Sequence, residues 1–167
     1  GMTILAVPAL QVDGAVCSSS VIRDALAAGD LSRVQRLLGR PYRTRARVEH
    51  GAKRGRLLGF PTTNLRLHPT LLPPPYGVYA VKVEHAGKQY AGVANWGVRP
   101  TVTGTPTPLL EVHMFDFSGD VYGATLAIDW IAYLRNEQRF TGLEALQAQI
   151  AQDAIAARAL LCSTDAT

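Results

Sequence analysis

The chain has 167 residues, of which 47% are hydrophobic and 18% are charged, and its formal net charge is +4. This composition is typical of one globular domain with a small appendage, and it excludes a disordered chain. No apolar run approaches the ~20 residues that span a bilayer. The opening segment lacks the charged leader and cleavage pattern of a secretory signal. Cys17 and Cys162 have no second thiol at metal-ligand spacing, so we expect a cytoplasmic protein without a thiolate metal site.

Two short helices are predicted near the start of the chain. In "CSSSVIRDALAAGDL" the serines can cap a helix, apolar residues recur at helical spacing, and Gly29 ends the pattern. Asp30 can cap a second helix through "LSRVQRLL", which "GRP" stops. We assign residues 1–39 to this N-terminal helical segment, which is too small to form a domain by itself.

Strand patterns begin after Pro41. In "YRTRARVEHG", Tyr42, Thr44, Ala46 and Val48 alternate with polar residues, which predicts a strand with one solvent-facing side. Further strand candidates are "GVYAVKVEH", "KQYAGVANWG", "LLEVHMFDF" and "YGATLAIDWIAYL". The sequences "AGK" and "SGD" are predicted hairpin loops between neighbouring strands, and short strands at this spacing favour an antiparallel barrel.

The last predicted element is an amphipathic helix. Thr141 and Glu144 form a capping-box pattern at its start. One apolar stripe follows, made of Leu143, Leu146, Ile150, Ala154, Ala157 and Leu161. We expect this stripe to pack against the barrel rather than to bind a partner.

The excess positive charge is local. Six of the 17 Lys and Arg residues, but one of the 13 Asp and Glu residues, lie in "RTRARVEHGAKRGR". Glycines in and after this stretch, Gly51, Gly55 and Gly59, permit tight turns, and Lys53 supplies charge. Such a loop could hold phosphates through its backbone N–H groups. It matches neither a Walker A loop nor a dinucleotide fingerprint, and a solvated hairpin loop explains the same residues.

The stretch "LLGFPTTNL" combines short polar side chains with a stiff proline. Thr62 and Asn64 are two residues apart, so in an extended segment their side chains face the same side, while Thr63 faces the other. Hydroxyl and amide oxygens are hard neutral ligands that suit Mg²⁺ and leave room for phosphate oxygens. The alternative is a turn in which these side chains satisfy the backbone.

Glu111 is an acidic residue inside an apolar strand. On "LLEVHMFDF" it shares one face with His113 and Phe115, and the intervening apolar residues share the other. A carboxylate in that setting either faces solvent or is held for proton transfer as a general base. His113 and His50 are expected to be polar-face residues, since no triad of metal ligands is visible.

Taken in order, these segments resemble the riboflavin kinase family, in particular the C-terminal kinase module of the bacterial bifunctional riboflavin kinase/FAD synthetases. The resemblance covers roughly residues 37–161. The segments that carry it are "LLGRPY", "RVEHGAKRGRLLGFPTTNL", "YGVYAV", "GVANWGVRPTV", "LLEVHMFDFSGDVYG" and "YLRNEQRF", followed by the helix. The resemblance implies a mainly β fold, a six-stranded antiparallel Greek-key barrel with a C-terminal α-helix, which we place at residues 40–162.

The resemblance also implies roles for single residues. It makes Glu111 the catalytic base and Arg135 a candidate flavin contact, and it places Mg²⁺ at Thr62 and Asn64. The implied ATP and phosphate ligands are Gly51, Lys53, Gly55, Gly59, Pro61, Thr62 and Asn64. The family usually has alanine where this chain has Thr63, a departure on the opposite face that we expect to be tolerated.

The implied reaction is ATP-dependent phosphorylation of the riboflavin 5′-hydroxyl to give FMN and ADP. Residues 1–39 resemble the join to the adenylyltransferase module of the bifunctional enzymes, and the rest of that module has no counterpart here. We therefore expect no FAD synthesis by this chain. We expect flavin and adenine nucleotides as ligands and neither nucleic acid nor a membrane as a partner, while the sequence predicts no oligomeric state.

Two alternatives stay open at this point. A small basic barrel can bind nucleic acid, and a steep loss of RNA affinity with salt would indicate that function. A flavin-binding module without catalysis would bind riboflavin and form no FMN. The presence of Glu111, Thr62 and Asn64 argues against such an inactive site.

Overall fold

The computed structural model describes residues 2, 3, 5, 7–49, 59–99 and 107–164. The described part contains three helices and eight strands. In chain order these are β1 (Gln11–Val12), β2 (Ala15–Val16), α1 (Ser19–Ala27), α2 (Leu31–Leu38), β3 (Tyr42–Glu49), β4 (Thr63–Arg66), β5 (Gly77–His85), β6 (Lys88–Arg99), β7 (Thr107–Met114), β8 (Thr125–Arg135) and α3 (Leu143–Thr164).

The two predicted N-terminal helices are present and both are capped. The Ser18 side chain accepts a hydrogen bond from Val21 N at the start of α1, and Asp30 Oδ1 accepts one from Arg33 N at 2.9 Å at the start of α2. Gly39 ends α2 in the left-handed conformation, which glycine adopts without a Cβ clash. The buried apolar residues of both helices belong to the same cluster as the barrel interior, so the helices dock on the barrel.

Before α1, the chain forms a two-stranded hairpin that the sequence patterns above did not include. β1 pairs antiparallel with β2 through a turn in which Asp13 and Gly14 both have positive φ angles. Arg36 Nε of α2 donates to Asp13 Oδ2 at 2.8 Å, which ties this turn to the helices.

Six strands close into an antiparallel barrel in the order β3-β4-β7-β6-β5-β8, and β8 pairs with β3 to complete the ring. The predicted six-stranded barrel is therefore confirmed. Consecutive strands are neighbours in three cases, whereas the connections from β4 to β5 and from β7 to β8 cross to other positions, as in a Greek key.

The two predicted hairpins have different outcomes. Ala86 and Gly87, with φ angles of 49° and 74°, join β5 to β6 in a tight hairpin, as "AGK" predicted. The hairpin predicted at "SGD" is wrong, because β7 pairs with β4 and β6 while β8 pairs with β3 and β5. This segment instead crosses from one side of the barrel to the other, and its Val121 is buried in the core.

Large side chains fill the barrel interior. Trp130 and Tyr79 are almost fully buried, and their rings meet edge to face at 5.0 Å between centroids. Trp130 Nε1 donates to Thr44 Oγ1 at 3.0 Å, so the buried indole N–H has a partner. Burial raises the pKa of the Tyr79 hydroxyl, which donates to the Pro75 carbonyl.

Helix α3 packs on the outside of the barrel, against β5, β6 and β8. Ala157 and Leu161 of its predicted apolar stripe are buried there, in a second core cluster that includes Val78 and Phe115. The prediction for Leu143 is wrong, since this residue is 70% exposed. The helix begins at Leu143, and the Gly142 carbonyl accepts from Leu146 N, so the cap lies one residue beyond Thr141.

Candidate active site

Three polar side chains form a row across the outer face of the barrel. Glu111 on β7 lies directly opposite Asn64 on β4 and directly opposite Asn95 on β6. Residues paired in this way have Cβ atoms about 4.5–5.5 Å apart and point to the same side of the sheet. Leu110 and Val112, which flank Glu111, are fully buried in the barrel. The alternation predicted for this strand is present, with Glu111 half-buried on the face outside the barrel.

Asn64 carries an unpaired buried oxygen. Among the residues that the structure describes, its Oδ1 is the buried side-chain oxygen or nitrogen that lacks a hydrogen-bond partner. Such a group carries a desolvation cost unless a ligand satisfies it. An amide oxygen in this state fits a hard cation, which prefers neutral and anionic oxygen ligands. The described residues contain no cluster of three or more His, Cys, Asp or Glu side chains that could hold a metal by themselves.

Thr63 lies on the opposite side of β4 from this row. It pairs with Val112, and its Oγ1 donates to the Val112 carbonyl at 3.2 Å. The Thr63 hydroxyl is thus bonded within the sheet.

One cavity, of about 310 Å³, lies between the outer face of the barrel and α3. Glu111, Asn95 and Thr62 contribute polar groups to its wall. Its apolar wall comes from both the barrel and the helix side and consists of Phe60, Val78, Val93, Phe140, Leu146 and Ile150. The cavity therefore combines a large apolar surface with a few polar groups, as small-molecule sites usually do.

A second cavity, of about 580 Å³, begins at the same segment. Pro61, Thr62 and Thr63 form one wall, and residues 117–122 of the β7–β8 connection form the other. In that connection Tyr122 N donates to Asp120 Oδ1 at 2.9 Å, which orders the turn. Thr62 lines both cavities, so the two spaces meet at the segment that precedes β4.

Arg135 lines the first cavity, but its guanidinium is already bonded. Nε and Nη2 donate to the two carboxylate oxygens of Asp153 on α3 at 2.8 and 2.7 Å, and Nη1 donates to the Asn136 carbonyl. Gln149 donates to the same Asp153 carboxylate at 3.0 Å. The arginine predicted as a flavin contact thus also anchors the C-terminal helix to the end of β8.

Part of the predicted phosphate site lies outside the described residues. Gly51, Lys53 and Gly55 fall in the segment 50–58, as does His50. Gly59 is described and has a φ angle of 80°, a left-handed conformation that favours glycine. The Pro61 carbonyl accepts a hydrogen bond from His113 Nδ1 at 2.8 Å.

Several residues of the first cavity were not among the predicted site residues. The polar ones are Asn95, His113, Glu137, Gln138 and Asp153. The isolated Asn95 in the strand "GVANWG" is a signal that could have drawn attention to it. Glu137 lies directly against Gly97, where a Cβ atom would overlap its carboxylate, and this contact joins positions 40 residues apart that no local pattern connects.

The arrangement has the components of a site for proton abstraction beside a cation. The Glu111 carboxylate, in the wall of the apolar cavity, lies next to the unsatisfied neutral oxygen of Asn64, and Thr62 lies where that cavity meets a second, more polar one. None of the helices in the described ranges is long and apolar enough to cross a membrane.

Comparison with known proteins identifies the family of this barrel. The family model for flavokinase, or riboflavin kinase, matches residues 38–161. The chain therefore belongs to the riboflavin kinase family of enzymes.

The proteins that are similar to this chain in sequence include bacterial bifunctional riboflavin kinase/FMN adenylyltransferases. The Pseudomonas fluorescens protein is 48% identical over 160 residues, which are 96% of this chain and 51% of the relative. The Haemophilus influenzae protein is 46% identical over 153 residues, which are 91% of this chain and 49% of the relative. The chain thus spans about half the length of these relatives.

Solved structures share the fold. Riboflavin kinase from Trypanosoma brucei matches with a TM-score of 0.53 and 25% identity, over 72% of this chain and 80% of that one. A Streptococcus pneumoniae protein described as a macrolide-efflux protein matches with a TM-score of 0.79 and 35% identity, over 88% of this chain and 48% of that one.

Proposed function

We propose that this chain transfers the γ-phosphoryl group of ATP to the 5′-hydroxyl of riboflavin, giving FMN and ADP. The observation that carries the proposal is the pairing of Glu111, in the wall of the first cavity, with Asn64, two residues beyond Thr62, where the two cavities meet, in a chain of the riboflavin kinase family. Phosphoryl transfer depends mainly on positioning and on neutralising charge, and such a junction can bring two substrates together.

The two cavities suit the two substrates differently. The apolar walls of the first cavity match the flat, largely apolar ring system of the flavin, and its polar groups match the ribityl hydroxyls. The second cavity is more polar and is bounded by the Pro61–Thr63 segment, which suits the nucleotide and its phosphates. The ribityl 5′-hydroxyl and the γ-phosphate would then meet beside Thr62.

Glu111 is the proposed general base. It lies in the wall of the flavin cavity, where it can accept the proton of the 5′-hydroxyl. The new bond between O5′ and the γ-phosphorus forms as the bond from that phosphorus to the β,γ-bridging oxygen breaks. The hydroxyl proton passes to the Glu111 carboxylate, and ADP leaves with the bridging oxygen.

Mg²⁺ is the proposed metal, and Thr62 and Asn64 are its proposed protein ligands. The unsatisfied Asn64 Oδ1 supports this assignment. A bound Mg²⁺ would offset negative charge on the phosphate oxygens. The two side chains would hold the nucleotide phosphates close to Glu111, which pairs with Asn64 across the two strands.

The remaining ligands follow from the family resemblance. Gly51, Lys53 and Gly55, together with Gly59 and Pro61, are proposed to hold the ATP phosphates. Arg135 is proposed to form part of the flavin site as a wall of the cavity, since its guanidinium is bonded to Asp153.

The test is an assay of purified protein with riboflavin, ATP and Mg²⁺, with flavins separated over time. We expect FMN to accumulate without FAD. Flavin binding without any FMN would indicate a non-catalytic module, and FMN followed by FAD would contradict the expectation about the adenylyltransferase activity.

The Glu111→Gln variant tests the base. We expect kcat to fall by about 10²- to 10⁴-fold, the usual contribution of general base catalysis, while MgADP still binds. Glu144→Gln is the matched control, because Glu144 is exposed in the first turn of α3 and lines neither cavity. Undiminished turnover in Glu111→Gln would remove Glu111 from the mechanism.

A further inference from the structure

His113 connects the strand that carries Glu111 to the segment that carries Thr62. It lies two residues after Glu111 on the same face of β7, and its Nδ1 is 2.8 Å from the Pro61 carbonyl oxygen. A carbonyl oxygen can only accept, so Nδ1 carries the hydrogen and donates it. This bond joins residues that are 52 positions apart in the chain.

The imidazole ring is also held from both sides. It meets the Phe60 ring edge to face at 5.5 Å and 83°, and the Phe115 ring edge to face at 5.6 Å and 71°. Both distances lie in the favourable range for aromatic pairs. These contacts hold the plane of the ring, and the hydrogen bond directs its Nδ1 at the Pro61 carbonyl.

The C-terminal helix also contributes to the position of His113, through Phe115. The Arg158 guanidinium of α3 lies over the Phe115 ring at 4.3 Å and is itself held by both carboxylate oxygens of Asp116 at 2.8 and 3.0 Å. Phe115 is 3% exposed, so the surface against which His113 packs is fixed. The position of His113 is thus set by the barrel and by α3 together.

The segment that His113 holds is stiff by itself. Proline fixes φ at position 61, and the residue before a proline is restricted to extended conformations, which limits Phe60. The orientation of the Pro61–Thr62 peptide plane then remains the main freedom. The Pro61 carbonyl and the Thr62 N–H belong to that one rigid plane, so a bond to the carbonyl also sets the direction of the amide.

We propose that His113 is a positioning residue for the nucleotide: its Nδ1–H fixes the Pro61–Thr62 peptide, and with it Thr62, for binding the phosphates of ATP. The inference rests on the proposed function for the identity of the ligand. His113 acts through Pro61 and Thr62, so it is not assigned a proton-transfer step.

Two variants separate the hydrogen bond from the ring. His113→Phe keeps an aromatic ring between Phe60 and Phe115 but has no donor. His113→Asn loses the ring but places an amide N–H at the position of Nδ1. We expect His113→Phe to raise the KM for MgATP and the Kd for MgADP by about 3- to 10-fold, the range for one hydrogen bond. We expect His113→Asn to restore most of that affinity. Because His113 also lines the first cavity, we expect His113→Phe to change the Kd for riboflavin by a smaller factor than the Kd for MgADP.

Calorimetry with MgADP and the quenching of riboflavin fluorescence measure the two affinities without turnover. Equal MgADP affinity in wild type and His113→Phe, or equal loss in the Phe and Asn variants, would overturn the proposal. So would a parallel loss of riboflavin affinity in His113→Phe, which would make His113 a wall of the flavin cavity only. Should His113→Phe fail to fold, His113→Leu is the second variant without a donor and must show the same selective loss. If the wild-type protein binds MgADP but forms no FMN, the proposed function is refuted. The comparison of MgADP affinity between wild type and the His113 variants would still decide the role of His113.

Discussion

Asn64 is the residue at which stability and function make opposite demands. Its buried Oδ1 has no partner among the described residues, so it contributes a desolvation cost rather than a hydrogen bond. Natural proteins keep such groups mostly at functional sites. The strand pairing that places Asn64 beside Glu111 supports the proposed role of this oxygen as a metal ligand.

Asn64→Leu should therefore separate the stability of the protein from its proposed binding of Mg²⁺. Removing an acceptor without a partner loses no hydrogen bond, so we expect the Tm without Mg²⁺ to be unchanged or higher. We expect the increase in ADP affinity on adding Mg²⁺ to be lost. Thermal unfolding and ADP titrations with and without Mg²⁺ measure both effects. Gln89→Leu, which removes an exposed amide from β6 outside both cavities, is the control and should change neither. A Mg²⁺ effect that survives in Asn64→Leu would exclude Asn64 as a ligand.

Sequence alone predicted the side on which Glu111 and His113 lie, because period two in a strand determines the face. It did not predict their partners. The Pro61 carbonyl that binds His113 is 52 residues away, and the Asp153 that binds Arg135 lies on another element. Long-range contacts of this kind depend on strand order and helix docking, which no local pattern contains.

At the scale of elements, α2 depends on its N-cap residue, Asp30. Asp30 Oδ1 accepts hydrogen bonds from Arg33 N and from the Ser32 hydroxyl, and these bonds lower the pKa of the Asp30 carboxyl. The helix places Leu31, Val34 and Leu37 in the barrel core. Its cap therefore supports part of the core as well as the helix.

Asp30→Ala should lower the free energy of unfolding at pH 7 by about 1 kcal/mol, the typical value of a helix cap. Because the folded carboxyl has the lower pKa, its contribution is present above the ordinary value of about 4 and is lost as the pH falls through the folded pKa. The difference between wild type and Asp30→Ala should thus shrink toward about pH 3. Asp30→Asn keeps a capping oxygen without the charge and should remove this part of the pH dependence. Urea unfolding at both pH values measures these differences, and a gap that does not change with pH would contradict the assignment to the charged carboxylate.

Prediction of elements succeeded where the pattern was long and failed where it was short. The sequence predicted the long strands and α3, and they are present. β4 has four residues, too few for a periodic signal, and its extended form depends on pairing with β3 and β7. The "SGD" segment has hairpin composition, but a turn sequence cannot show which strands the flanking segments will join.

At the scale of the whole molecule, the described residues include two ion pairs that fasten α3 to the barrel at separate points. Arg135 and Asp153 form the inner pair, with side chains 17% and 7% exposed. Arg158 and Asp116 form the outer pair, with side chains 47% and 78% exposed. Between the start of α3 and these pairs, Leu146 and Ile150 form part of the wall of the first cavity. The position of the helix therefore determines the shape of the proposed flavin site.

The two pairs should contribute very unequally. Asp153→Asn leaves the partly buried Arg135 guanidinium without its counter-charge, and we expect a cost below the value for a fully buried pair, which is about 3–5 kcal/mol of unfolding free energy. We expect riboflavin affinity to fall as well, because α3 would no longer be held against the cavity. Asp116→Asn breaks an exposed pair and should have only a small effect on both quantities.

The double variant Arg135→Leu with Asp153→Leu tests whether the packing of α3 alone or the directed contact between Arg135 and Asp153 positions the helix. Replacing a buried ion pair by apolar residues is often neutral or stabilising, so we expect most of the stability lost in Asp153→Asn to return. Riboflavin affinity should return only as far as α3 regains its position. The two parallel hydrogen bonds from Arg135 to the Asp153 carboxylate also set the orientation of the helix, and leucine side chains cannot replace them. Denaturant unfolding and riboflavin titration of the four proteins measure both properties. Equal effects of Asp153→Asn and Asp116→Asn would show that the buried pair does not hold the helix, and a full return of affinity in the double variant would show that packing alone positions it.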